Sequence, residues 1–234
     1  MQVHWRERIC QFGWLASLPD DVQGEVLAAL QTEPVTEGSE AIGQGERFAG
    51  LLCVLEGEMQ VVGTARRGDE LLIGILRPGD WTGFLAAIDH GEYAFSVRAK
   101  RNCRIARLDA FATRRIFERD LERFRLLIRP ELVVSRKNYS YFIEQAYRPP
   151  MQRLAERMMG LGRWPYSLVD DDITSLEELS QADLANATRL SRQTTNSCLQ
   201  VLASSGLVRL GYKSVEVLDP VRLGMIANGD LDLD

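Results

Sequence analysis

Short apolar or alternating runs fill the region between residues 38 and 108. They lie at residues 51–55, 59–62, 71–76, 93–97 and 103–108. Glycines recur between them, and residues 67–70 and 77–80 carry Gly-Asp and Pro-Gly pairs that are typical of tight turns. Many short runs separated by turn residues predict the strands of a β-sandwich or barrel.

Helical periodicity surrounds this region on both sides. Residues 14–30 have the pattern of a helical entry, and an apolar stripe predicts a long helix over residues 119–147. A helix of this length commonly supplies a dimer seam. Pro130 lies inside it and lacks a backbone N–H, so we expect it to bend or split the helix. The prolines at 149–150 end the helix, and a short amphipathic helix is predicted over residues 151–161.

Two short helices joined by a tight turn are predicted over residues 179–208. Ser180 is a good N-cap for the first helix, with Asp183 three positions on, and Ser191 is a good N-cap for the second. Residues 206–218 have the pattern of a two-stranded ribbon. Two helices followed by such a ribbon form a winged helix-turn-helix.

The second of these helices has polar side chains in its first turns and apolar positions, such as Leu199 and Leu202, later. The side chains expected to face outward are Arg192, Gln193, Thr194, Asn196 and Ser197. A DNA-reading helix presents its N-terminal residues to base edges, where Arg pairs with guanine and Gln with adenine. The alternative is an ordinary amphipathic helix whose polar face is merely solvated.

Charge is distributed unevenly along the 234 residues. The formal net charge is −5, which is unusual for a protein that binds nucleic acid. However, no acidic residue occurs between Asn186 and Lys213, a segment that also contains Arg189, Arg192 and Arg209. A local positive face is therefore compatible with the acidic chain.

Composition excludes several other classes. The apolar runs are too short to span a bilayer, and the N-terminus has no signal-peptide pattern, so we expect no membrane partner. The four cysteines lack Cys-x-x-Cys spacing, which argues against a zinc ribbon or a disulfide scaffold and fits a reducing cytoplasm.

With these motifs in order, the chain resembles the CRP/FNR superfamily of bacterial transcription regulators. In the C-terminal part, residues 190–194 resemble the start of the family's recognition helix, and residues 202–208 and 215–218 resemble the helix exit and wing. In the N-terminal part, residues 55–58, 76–83 and 97–99 resemble the family's glycine framework. The resemblance implies an α+β chain: a β jelly roll of the cyclic-nucleotide-binding type, a long dimerisation helix and a C-terminal winged helix-turn-helix.

This resemblance places the sensor domain at residues 1–117, the dimerisation helix and hinge at 118–148, and the DNA-binding domain at 149–234. It implies a homodimer on a palindromic double-stranded DNA operator, with RNA polymerase as a candidate partner.

The resemblance carries over Arg192 and Gln193 as base readers, and the polar groups at the helix starts and on the ribbon add further candidate DNA contacts. The base-reading residues are Arg192, Gln193, Asn196 and Ser197. The backbone contacts are Ser180, Gln181, Ser191, Thr194 and Lys213. Ser197 stands where the cAMP-receptor members carry a second base-reading Arg, so a different operator is expected. Arg189 stands where many members have a turn glycine.

Two short elements, residues 83–85 and 93–94, align with the segments that bind the effector in cyclic-nucleotide-binding members, and together we call them the effector cassette. Their residues depart from the cyclic-nucleotide pattern. Members that bind cyclic nucleotides carry Gly-Glu-Leu, followed by an Arg that holds the phosphate. Here the first element is Gly83-Phe84-Leu85 and the second falls on Tyr93-Ala94, so both the carboxylate and the arginine are missing. Without Arg the phosphate would be desolvated with little compensation, and we predict that cAMP is not bound in the usual manner.

The identity of the effector stays open. The candidate pocket residues are Gly83, Phe84, Leu85, Tyr93, Ala94, Asn138 and Tyr139. Phe84 and Tyr93 would line an aromatic pocket or else fill the core. Asn138 and Tyr139 would lie next to an effector, or else at a solvated or dimer-seam position.

Redox and haem sensing are not favoured. An iron–sulfur cluster needs several cysteines, whereas Cys10 stands alone near the N-terminus. His90 is a candidate haem ligand but more simply a solvated turn histidine. Cys198 is expected to be a buried small hydrophobe, with a thiol switch as the alternative.

Two other function classes compete with a transcription factor. A jelly-roll metalloenzyme needs clustered histidines, and the chain has only His4 and His90. A cyclic-nucleotide-binding module without DNA binding conflicts with the complete helix-turn-helix pattern and the altered cassette. We therefore predict no catalytic residues, no metal site and no resident cofactor.

Overall fold

The secondary structure comes from a computed structural model that describes residues 3–11, 13–145, 147–162, 175–176, 180–212 and 214–233. Its helices are α1 (Val3–Gln11), α2 (Gly13–Ala16), α3 (Asp20–Ala29), α4 (Phe84–Asp89), α5 (Ala110–Phe117), α6 (Leu121–Gln145), α7 (Pro150–Gly162), α8 (Gln181–Thr188), α9 (Arg192–Ser204) and α10 (Pro220–Asn228). Its strands are β1 (Gln31–Val35), β2 (Glu40–Ile42), β3 (Gly50–Glu56), β4 (Met59–Thr64), β5 (Glu70–Leu76), β6 (Trp81–Thr82), β7 (Ser96–Ala99), β8 (Cys103–Asp109), β9 (Ser175–Leu176), β10 (Val208–Gly211) and β11 (Ser214–Val217).

Contacts between described residues divide the chain into two units. The first unit contains the described residues within 1–69 and 75–138. The second contains those within 139–163 and 171–234, together with 70–74. The domain boundaries expected from the sequence remain a prediction.

Strands β1 to β8 form two four-stranded sheets, as the run of short strands predicts. Their strand orders are β1-β8-β3-β6 and β2-β7-β4-β5. β3 pairs with β8 in antiparallel register, with Leu51 opposite Leu108 and Cys53 opposite Ala106. Residues 51–55 of β3 are all buried, which explains why this strand is apolar at successive positions rather than at alternate ones.

An aromatic cluster centred on Trp14 joins the helices of the first unit to its sheets. The Trp14 ring centroid lies 5.1 Å from that of Trp81, 4.9 Å from that of Phe84 and 5.5 Å from that of Phe117. All four rings are buried, and the contacts with Trp81 and Phe84 are edge-on, the arrangement that aromatic quadrupoles favour. The cluster therefore fixes α2, α4 and α5 on the sheets.

Trp14 also completes the backbone hydrogen bonding of α6. In a helix the N–H of residue 130 would donate to the carbonyl of residue 126, and Pro130 has no N–H. Instead, Trp14 Nε1 donates to the Leu126 carbonyl oxygen at 3.1 Å. Of the two expected effects of Pro130, a split does not occur, because α6 runs as one helix of 25 residues through it, and a bend stays a prediction.

Salt bridges hold α3 against the start of α6. Arg123 pairs with Glu25 at 2.8 Å and with Asp21 at 2.8 Å, and Arg119 pairs with Glu25 at 3.2 Å. The Arg123 side chain is only 15% exposed, so its pairs are less screened by solvent than ordinary surface pairs.

The second unit packs α7 against α8, α9 and α10, beside a sheet of order β10-β11-β9. The predicted ribbon is present, with Val208 opposite Val217 and Gly211 opposite Ser214. The helix α10 was not predicted from the sequence. Its start is nevertheless marked by local signals, since the Asp219 side chain accepts a hydrogen bond from the Arg222 N–H and Pro220 occupies the first turn.

Two buried threonines on neighbouring helices differ in their hydrogen bonding. Thr188 Oγ1 donates to the Leu184 carbonyl at 2.7 Å, with the Ala185 carbonyl 3.2 Å away. Thr195 is completely buried, and its hydroxyl has no hydrogen-bond partner among the described residues. A buried hydroxyl without a partner costs free energy that a methyl group of the same shape does not.

The role of Trp14 is testable with a double-mutant cycle on Trp14→Phe and Pro130→Ala. In the unaltered Pro130 background, Trp14→Phe removes packing and also the donor to the Leu126 carbonyl. In the Pro130→Ala background, the new backbone N–H satisfies that carbonyl. In urea unfolding, Trp14→Phe is expected to lower the free energy of unfolding by about 1 kcal/mol more in the Pro130 background than in the Pro130→Ala background. Equal costs in the two backgrounds would refute the proposed compensation.

The threonine pair gives a second test by urea unfolding. Thr195→Val is expected to leave the free energy of unfolding unchanged or raise it by about 1 kcal/mol, because it removes a hydroxyl without a partner. Thr188→Val, the matched control, is expected to lower it by about 1 kcal/mol, since it removes a hydrogen-bonded hydroxyl. The same destabilisation from both changes would contradict this assignment.

Candidate nucleic-acid interface and effector region

A capping box fixes the start of α8. The Ser180 hydroxyl accepts a hydrogen bond from the Asp183 N–H at 3.1 Å, and the Asp183 carboxylate accepts one from the Ser180 N–H at 2.8 Å. The sequence predicted both residues for this role. Gln181 follows the cap and is exposed in the first turn of the helix.

The turn between α8 and α9 is held from α7. A guanidinium nitrogen of Arg153 donates to the Thr188 carbonyl at 2.6 Å. Arg189 then adopts the left-handed conformation, with φ of 55°, and its N–H donates to the Asn186 carbonyl at 3.2 Å. The contribution of Arg153 was not predicted from the sequence, because its partner is a backbone carbonyl 35 positions away.

Ser191 caps α9 as predicted. Its hydroxyl oxygen accepts a hydrogen bond from the Thr194 N–H at 3.0 Å and lies 2.8 Å from the Thr194 hydroxyl. Thr194 is accordingly half-buried rather than fully outward-facing.

The exposed side of α9 brings the four predicted base-reading residues together. Arg192, Gln193, Asn196 and Ser197 are all exposed and form what we call the reading face. The buried side of the same helix consists of Thr195, Cys198, Leu199 and Leu202. This separation follows the helical period of 3.6 residues, and Gln200, one turn further on, is exposed as well.

The charges near the reading face are positive. Neither Arg189 nor Arg192 forms an ion pair within the described part of the chain. Arg209 on β10 pairs with Glu216 on β11 at 2.5 Å, so its charge is partly compensated. Lys213, a predicted backbone contact, lies outside the described residues, whereas its neighbour Tyr212 is 90% exposed.

The first element of the effector cassette belongs to the core of the first unit. Gly83 caps α4 in the left-handed conformation, with φ of 99°. Phe84 is only 1% exposed and packs on Trp14 within the aromatic cluster, while Leu85 is exposed. The position that the sequence resemblance aligns with a ribose-binding carboxylate therefore holds a buried ring.

Internal hydrogen bonds saturate the second element of the cassette. The Tyr93 hydroxyl donates to the Gly50 carbonyl at 2.7 Å and accepts from the N–H groups of Ala49 and Gly50, each at 3.0 Å. Its ring lies 5.9 Å from that of Phe48 and is buried. Ala94 is exposed, as are Asn138 and Tyr139 on α6.

The first unit contains an open cavity of about 480 Å³ away from the cassette. It is lined by Ile88, His90, Glu118, Asp120, Leu121 and Phe124. None of the candidate effector residues lines this cavity. His90 Nε2 lies 3.0 Å from the Glu118 carboxylate.

The potential metal ligands and the thiols bear on the metal and redox alternatives. No group of three or more His, Cys, Asp or Glu side chains in that part of the chain is arranged to hold a metal ion. Burial raises the pKa of the Cys198 thiol and that of the Cys10 thiol. A raised thiol pKa lowers the fraction of reactive thiolate at neutral pH.

No described helix is long and apolar enough to cross a membrane.

Both halves of the chain match known domain families. Residues 32–120 match the cyclic nucleotide-binding domain, and residues 152–226 match the Crp-like helix-turn-helix domain. The two matches lie in the order that the sequence resemblance implies, and the second contains α8 and α9.

Whole-chain relatives are transcription regulators. The chain is 26% identical over 212 residues to the CRP-like cAMP-activated global transcriptional regulator of Mycobacterium tuberculosis, covering 89% of this chain and 95% of that protein. It is 23% identical to the cAMP-activated global transcriptional regulator CRP of Escherichia coli, covering 82% of this chain and 98% of that protein.

Solved structures share the fold. A CRP/FNR family transcriptional regulator from Thermus thermophilus superposes with a TM-score of 0.63 at 21% identity, covering 85% of this chain and 98% of that chain. FixK2 from Bradyrhizobium japonicum gives a TM-score of 0.67 at 14% identity, and the match covers 84% of this chain and 96% of FixK2. With both domain families and the whole-chain relatives in agreement, the chain belongs to the CRP/FNR superfamily of DNA-binding transcription regulators.

Proposed function

We propose that the protein regulates transcription as a homodimer, binding a palindromic operator through the reading face of α9, and that cAMP does not control it through the family's usual contacts. In this proposal the sensor domain is residues 1–117, the dimerisation helix and hinge 118–148, and the DNA-binding domain 149–234. RNA polymerase is a candidate partner, and the cytoplasm is the site of action.

The observation that carries the DNA part is the composition of the reading face. Arg192 and Gln193 occupy the first two positions of α9, and Asn196 and Ser197 lie one turn later on the same side. A helix entering the major groove reads bases with such N-terminal residues. Arg can bind guanine O6 and N7 together, and Gln or Asn can bind adenine N6 and N7 together.

Backbone contacts are proposed for the groups around the two helix starts. Ser180, Gln181, Ser191 and Thr194 cluster at the N-termini of α8 and α9. Hydroxyl groups and helix N-termini both bind phosphate oxygens, because N–H groups at a helix start point outward. Lys213, which lies between β10 and β11 in the sequence, is proposed as a further phosphate contact.

Dimerisation is proposed along α6. Leu121, Leu132 and Val133 are large apolar residues of this helix that are exposed in the single chain. A helix of 25 residues with exposed apolar positions suits a seam against a second copy. Two copies related by a two-fold axis would place two α9 helices on half-sites about 34 Å apart.

The effector part of the proposal rests on Phe84 and Tyr93. Relatives named as cAMP-activated regulators match 89% of this chain. Here, however, Phe84 is buried against Trp14 and the hydroxyl of Tyr93 is bound to backbone groups. Neither side chain offers a positive charge for a phosphate, and an anion without such a partner is costly to desolvate.

The reading face is tested with Arg192→Ala and the matched control Arg222→Ala, which removes an exposed cation from α10 and leaves α8 and α9 unaltered. The operator is first obtained by selection from random duplex DNA, and affinities are then measured by fluorescence anisotropy on base-substituted duplexes. We expect Arg192→Ala to weaken operator binding by about 1–3 kcal/mol and to relax the preference at one guanine per half-site. We expect Arg222→Ala to change neither the operator affinity nor the base preference. An unchanged base preference for Arg192→Ala would remove this residue from the reading face.

The effector proposal is tested by calorimetric titration of the full chain with cAMP. We expect no binding at micromolar concentrations, because the cassette lacks both the arginine and the carboxylate. As a gain-of-function comparison, Tyr93→Arg supplies the missing cation and should increase cAMP affinity if the variant folds. Micromolar or tighter cAMP binding by the unaltered chain would contradict the proposal.

A further inference from the structure

We propose that Arg189, in the turn between α8 and α9, is an additional DNA contact whose guanidinium binds a backbone phosphate beside each half-site. This inference rests on the proposed function, and it adds a residue that was not among the predicted DNA contacts.

The backbone of Arg189 is in a conformation that disfavours any side chain. Its φ of 55° lies in the left-handed region, where the Cβ atom approaches the following carbonyl oxygen. Glycine adopts this conformation without that penalty. Among the described non-glycine residues only His90 shares it. An arginine at this position therefore lowers the free energy of unfolding relative to a glycine.

No interaction within the described part of the chain offsets this cost. Arg189 is exposed and forms no side-chain hydrogen bond or ion pair there. Its N–H bond to the Asn186 carbonyl would form equally well with glycine. Its charge is favourable beside the C-terminus of α8 but unfavourable beside the N-terminus of α9, so the helix dipoles supply little net gain. A strained backbone conformation that no contact within the described residues offsets indicates that the side chain has a functional role.

The position of Arg189 suits a phosphate contact. It lies two residues before Ser191, the cap of α9, so their Cα atoms are at most about 7.6 Å apart. The Arg153 hydrogen bond to the neighbouring Thr188 carbonyl fixes the path of the turn. No acidic residue occurs from Asn186 to Lys213 to compete for the guanidinium. A long cationic side chain at the edge of the reading face can reach the DNA backbone without entering the groove.

The experiment compares the unaltered full chain with Arg189→Gly, Arg189→Lys and the control Arg222→Ala. Binding to the selected operator and to an unrelated duplex is measured by anisotropy between about 50 and 200 mM salt. Thermal unfolding is followed for each variant.

Arg189→Gly is expected to raise the Tm, because it relieves the backbone strain, and to weaken binding to both duplexes by similar factors of several-fold. Its plot of log K against log salt should be shallower by about 0.9 for each protomer that loses a phosphate contact. Arg189→Lys keeps the positive charge and should therefore keep the slope of log K against log salt. The Arg222→Ala control should leave the affinity and slope unchanged.

Unchanged affinity and slope in Arg189→Gly would overturn this inference. A loss confined to one base position would also overturn it, since that would assign Arg189 to base reading. Either result leaves the proposed function intact if the unaltered chain selects an operator. Failure of the unaltered chain to bind DNA at all would overturn the proposed function and this inference together.

Discussion

The indole N–H of Trp14 makes the hydrogen bond that Pro130 cannot make. Its donation to the Leu126 carbonyl at 3.1 Å allows α6 to continue through a proline that would otherwise leave that acceptor without a donor. The same ring packs on Trp81, Phe84 and Phe117. One side chain thus couples the N-terminal helices, the sheets and the long helix on which dimerisation is proposed.

This coupling has a consequence for the sensor half. Phe84 is part of the Trp14 cluster, and Tyr93 is bound to the backbone at Ala49 and Gly50. Both cassette positions therefore contribute to folding, and their side chains have no charge with which to bind a phosphate. The chain matches the cyclic nucleotide-binding domain, yet neither position offers a charge for a phosphate, so control by a ligand of different chemistry is our hypothesis.

Local signals in the sequence were sufficient for much of this structure. Strands bounded by glycine, the capping serines Ser180 and Ser191, and the alternation of apolar and polar positions along α9 are determined by neighbouring residues, so the pattern predicted them. Long-range contacts were not accessible in this way. The fate of the helix at Pro130 depends on Trp14, which is 116 positions away, and the support of the helix-turn-helix by Arg153 depends on a carbonyl in another helix. The burial of Phe84 likewise depends on a ring far away in the sequence.

We propose above all that α9 reads DNA in a two-fold symmetric assembly and that cAMP is not needed for this. The decisive measurement is selection of binding sites from random duplex DNA, using the full chain in the absence and in the presence of cAMP. We expect enrichment of one palindromic sequence whose half-sites are centred about 10 base pairs apart, or a multiple of one helical turn, with or without cAMP. Enrichment of a single asymmetric site, or of an operator only when cAMP is added, would contradict the proposal.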